Sequence, residues 1–106
     1  MNYNEIPNSV KEELKYYIDE QLNYYDSLED IHYKLFNEDY YIIGYYQAEQ
    51  WLKEHNISVF EGIEICQNYE KDNYGECQQY ENSEKLVNML VYIYGEIILN
   101  ELEHEK

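Results

Sequence analysis

Apolar residues recur at spacings of three and four from one end of the chain to the other, and no useful length of strand alternation interrupts them. Val10, Leu14, Tyr17, Ile18, Leu22 and Tyr25 make the inner stripe of a first helix that begins just after Pro7. Its opposite face carries Glu12, Glu13, Tyr16, Asp19, Glu20 and Asn23. Ser27 with Asp30 resembles a shortened capping box and opens a second, shorter helix through Leu28, Ile31 and Leu35. Asn37 or Asp39 is placed to cap a third helix running to about His55.

That third helix has a marked end. Asn56 suits the left-handed position after a helix, and Ile57 can fold back on the last turn. Ser58 with Glu61 then reads as a full capping box, and Val59, Ile63, Cys66 and Tyr69 form the inner stripe of a fourth helix. Residues Asp72 to Gln79 read as a loop around Gly75. The last helix runs from about Ser83 to Glu103, and its apolar surface is wider than one stripe, which places it centrally. The expected fold is all-α: a compact bundle of four to five helices around a central C-terminal helix, in a single domain of residues 1–106.

Charge changes what this bundle can do. Twenty-three carboxylates face seven lysines, arginine is absent, and the formal net charge is −16 over 106 residues. Ten acids fall in residues 1–40 and thirteen in 41–106, so no detachable tail carries the charge. By the usual surface scaling a chain of this mass exposes roughly 6,400 Å², or about one net charge per ~400 Å². Sixteen charges correspond to about 27 Å of duplex DNA, close to the roughly 30 Å breadth of a domain this size. Such a surface repels nucleic acid and anionic membrane and attracts basic protein surfaces. Direct nucleic-acid binding is disfavoured, since no basic patch is present.

Candidate chemistry is sparse. Cys66 and Cys77 match no disulfide framework or zinc spacing, which fits a reduced, cytoplasmic protein. The stretch Leu86 to Leu99 contains Asn88 and Glu96 and is too short and polar to span a bilayer, and the N-terminus is neither basic nor apolar. Two Glu-x-x-His pairs, Glu29/His32 and Glu101/His104, have the spacing used by di-iron bundles, but the second lies two residues from the end of the chain. Glu70 to Glu81 places Gly75 sixth and Glu81 twelfth, as in a calcium loop, yet offers Glu70 and Tyr74 where Asp and an oxygen ligand belong.

Glu61/Glu64 and Glu81/Glu84 supply only half of the paired motif by which helical nucleotide pyrophosphatases hold magnesium, since no Glu-x-x-Asp occurs. No nucleophile elbow is present. His32, His55 and His104 are scattered and read as surface or cap residues. The expectation is a non-enzyme without cofactor or metal.

Ala48 to Glu64, Asn68 to Glu76 and Lys85 to Glu96 resemble small uncharacterised proteins of tailed phages over about half the chain, which implies a phage origin and no particular chemistry. In size and acidity the chain is also similar to inhibitors that imitate DNA, including antirestriction and anti-CRISPR proteins. The expected partner is a basic DNA- or RNA-binding protein such as a host defence nuclease, met in the host cytoplasm. The expected contact surface is Glu12, Glu13, Asp19 and Glu20, followed past the turn by Asp26, Glu29 and Asp30, with Tyr16 and Tyr24 as aromatic anchors. A non-catalytic adaptor whose acidity serves solubility is the alternative, and a homodimer stays open.

Overall fold

The computed structural model describes residues 2–24, 27–37 and 45–104. Among the described residues there are five α-helices: α1 (Asn8–Gln21), α2 (Leu28–Asn37), α3 (Tyr45–Glu54), α4 (Val59–Tyr74) and α5 (Ser83–His104). A 3-10 turn at Tyr3–Glu5 precedes α1. The fold is all-α, and among the described residues no strand occurs. The chain divides into two compact units: Met1–Ile42 with Tyr94–Lys106, and Ile43–Ile93. Helix α5 supplies residues to both, and both halves of it are buried on more than one stripe, from Leu86, Val87 and Leu90 to Tyr94 and Ile98. Its central position was expected from its apolar width.

In the first unit, the opening turn is closed by an unforeseen capping box. The Asn2 side chain accepts from the Asn4 N–H at 3.0 Å, and the Asn2 N–H donates to Glu5 Oε1 at 3.3 Å. The Pro7 carbonyl then accepts from the N–H groups of Val10 and Lys11 and starts α1. Val10, Leu14 and Ile18 are fully buried along it. The helix ends at Gln21, earlier than Tyr25, because the final turn tightens: Asn23 and Tyr24 donate to Glu20 and Gln21 in i→i+3 bonds. Leu22 is consequently exposed rather than inside. The Asp30 N–H donates to Ser27 Oγ at 3.1 Å and opens α2 where expected. Asn37 is the last residue of α2, not a cap of α3; Asp39 and Tyr25 lie outside the described residues.

In the second unit, α3 stops as its sequence requires. Asn56 takes φ 55°, the Ile57 N–H donates to Leu52 O at 2.9 Å, and the Asn56 N–H donates to Lys53 O at 3.1 Å. These two bonds are the Schellman pair, and Ile57 is buried as its hydrophobic contact. Ser58 Oγ accepts from the Glu61 N–H at 3.1 Å to start α4. The return half of the box differs, since the Glu61 carboxylate meets the Ser58 hydroxyl instead of its backbone.

The inner line of α4 is Gly62, Cys66 and Glu70, spaced by four, with Ile63 and Tyr69 half-buried beside it and Val59 exposed. At Gly62 a Cβ would lie 3.2 Å from Leu86 Cδ2 and Leu90 Cδ1, so the missing side chain is what lets α4 lie close to α5. The helix continues through residues 72–74, which the periodicity assigned to a loop, and Gly75 ends it at φ 79°, donating to Lys71 O. The first five places of the supposed calcium loop are therefore helical, which removes that geometry.

Candidate functional site: the outer face of α1

Successive helix residues turn by about 100° and rise by about 1.5 Å. Glu12, Tyr16 and Asp19 therefore lie along one line opposite the buried Val10–Leu14–Ile18 stripe, with Glu20 beside them and Asn23 in the turn that follows. All five are exposed, Tyr16 by 69%. From Glu12 to Glu20 the face extends about 12 Å. Glu13 turns toward the flank and is half-buried.

The cations of α1 occupy its other flank. Lys11 Nζ lies 4.2 Å and Lys15 Nζ 5.2 Å from the ring centroid of Tyr3, over the opening turn. An ammonium over an aromatic face is attracted by the ring quadrupole. The sequence signal for this was the i, i+4 spacing of the two lysines behind an aromatic N-terminal turn.

The other predicted contact residues are placed separately. Tyr24 is 79% exposed at the tight turn after α1. Asp26 lies outside the described residues. Glu29 and Asp30 are exposed in the first turn of α2, where carboxylates also stabilise the unsatisfied N–H groups of a helix start. Of the adjacent Tyr16 and Tyr17, the first is exposed and the second half-buried; Tyr40 and Tyr41 lie outside the described residues.

A cavity of about 320 Å³ in the first unit is lined by Glu29 and His32 of α2 and by Glu96, Leu99, Asn100 and Glu103 of α5. It brings one of the two Glu-x-x-His pairs to α5, but the α5 acids there are Glu96 and Glu103, not the second pair, Glu101 and His104. Among the described residues no group of three metal-ligating side chains is arranged to hold an ion, and no helix is long and apolar enough to cross a membrane.

In the second unit, sequence reasoning missed one carboxylate. Glu70 is 2% exposed. The Gln78 N–H donates to its Oε2 at 3.1 Å, and the Tyr80 hydroxyl donates to its Oε1. Burial, reinforced by the negative charge of Glu70 and opposed by the nearby Tyr80 hydroxyl, pushes the Cys66 thiol up to about 12. Burial and then the hydrogen bond to Glu70 push the Tyr80 hydroxyl upward as well. A neutral thiol and phenol beside a hydrogen-bonded carboxylate make a structural cluster rather than a nucleophilic one. The available signal was the spacing of four that carries Gly62 and Cys66 on to Glu70. His55 is also inside, its ring 4.5 Å from that of Trp51, so it is a buried cap residue and not a surface one.

Exposed acids are not confined to α1. Glu49 and Glu54 on α3 and Glu61, Glu64 and Asp72 on α4 are exposed as well. Comparison of the chain with protein-family models, curated proteins and solved structures finds no match.

Proposed function

We propose that the protein is a non-catalytic inhibitor that presents carboxylates where a DNA-binding enzyme expects phosphates, of the kind a phage directs against a host defence nuclease. The outer face of α1 carries the reading: Glu12, Asp19 and Glu20 stand in water around the exposed Tyr16, and the lysines of the helix lie on the other flank over Tyr3. A groove lined with arginine and lysine would be steered to such a face over long range and fixed by charge-assisted bonds, with the tyrosine adding apolar contact.

The test is a pull-down from host lysate with and without competing duplex DNA, followed by the same assay on Glu12→Gln/Asp19→Asn/Glu20→Gln. The reading requires a partner that DNA displaces and that the triple variant binds at least tenfold more weakly. A partner indifferent to both would overturn it.

A protein-binding adaptor is the second reading, supported by Phe60, 77% exposed beside the exposed Val59 at the start of α4. Under that reading Phe60→Ala abolishes binding while the triple charge variant binds normally.

A further inference from the structure

Beyond Gly75, residues 76–82 leave α4 without helical structure, and 76–79 are exposed. Side chains of α4 hold this segment by three hydrogen bonds, at Gln78 and Tyr80. Glu70 accepts from the Gln78 N–H at 3.1 Å and from the Tyr80 hydroxyl, and Gln67 Nε2 donates to Gln78 O at 3.1 Å. Two of these bonds end on one buried carboxylate. Beneath it, one turn earlier on α4, Cys66 is fully buried, its Sγ 4.0 Å from Leu86 O and close to the Tyr80 hydroxyl. Cys77, in the segment itself, is exposed.

We infer that residues 76–82 form a strap that opens as a unit while the helices stay folded, that the Glu70 carboxylate is its catch, and that opening makes the Cys66 thiol reachable. Hydrogen bonds to a charged acceptor are strong but local, and the strap brings little apolar surface of its own to the closed state, so it belongs to the low-stability end of the fold. The closed strap sets the Tyr80 hydroxyl beside the fully buried Cys66, whose thiol is kept protonated by burial and by the charge of Glu70. The chain thus carries one thiol that is always available and one that is conditional.

The test uses the full chain with Cys77→Ser, so that iodoacetamide reads Cys66 alone. Labelling rates are compared in Glu70→Gln and Tyr80→Phe, with urea unfolding followed in parallel by circular dichroism. The expected result is a rate increase of roughly ten- to a hundredfold in both variants, from the loss of a hydrogen bond to a charged group. The increase should be insensitive to low urea, because a small opening exposes little surface. Labelling rates unchanged by the substitutions, or rising only in step with global unfolding, would overturn the inference. Should Glu70→Gln fail to fold, Tyr80→Phe decides alone, since it removes a single oxygen.

Discussion

Glu12 and Glu70 are the same side chain in opposite settings, one in each compact unit of the molecule. The first unit carries fourteen carboxylates against four lysines, the second nine against three. On α1 the acids at 12, 19 and 20 are exposed; on α4 Glu70 is inside and its oxygens are engaged by Tyr80 and Gln78. A carboxylate in water adds little to stability and keeps its field free for partners. One removed from water must be met by donors, and is then committed to holding its own surroundings.

The largest effect expected is alkaline. Cys66 and Tyr80 both hold their protons more tightly folded than unfolded. Their contribution to stability is complete below about pH 9, the ordinary value for the thiol, and is lost as the pH rises toward 12. Urea midpoints measured from pH 8 to 11 should fall, and Cys66→Ala should flatten the fall; an unchanged slope would remove the cluster as its source. Next in size, Glu70→Ala should cost about 3 kcal/mol in urea unfolding, since the Gln78 N–H and the Tyr80 hydroxyl lose their acceptor.

Added salt should raise the melting temperature by a few degrees, by screening the self-repulsion of the anionic surface. That rise should shrink in the variant carrying Glu12→Gln, Asp19→Asn and Glu20→Gln, so an equal rise would place the repulsion elsewhere. The smallest effect belongs to Glu12→Ala alone, within about 0.5 kcal/mol of the parent. A cost for Glu12→Ala comparable with that of Glu70→Ala would erase the contrast between the two settings.

Where the backbone is governed by one residue with a special preference, it is legible in advance. Asn56 and Ser58 mark the end of α3 and the start of α4 within a residue. The width of the apolar surface from Leu86 to Ile98 marks α5 as central. Hydrophobic spacing misplaced the inner line of α4 because two of its three residues are not apolar: Gly62 is inside for lack of volume, and Glu70 because donors elsewhere in the chain reach it. Those donors sit eight and ten residues away, beyond any helical period. The α1 face was legible as an acidic row. The position of its lysines was not, since it depends on where the turn at Tyr3–Glu5 carries one aromatic ring. The early end of α1 is likewise a matter of tightened backbone bonds that no residue type announces.

Trp51, the one tryptophan of the chain, lies in the second unit, buried on α3 with the His55 imidazole against its ring. Its fluorescence is therefore a local gauge, reading α3 and its neighbours while backbone ellipticity reads every helix at once. Superimposable denaturation curves from the two signals would mean that both units melt as a single cooperative body, and a tryptophan curve displaced from the ellipticity curve would mean that they melt in turn.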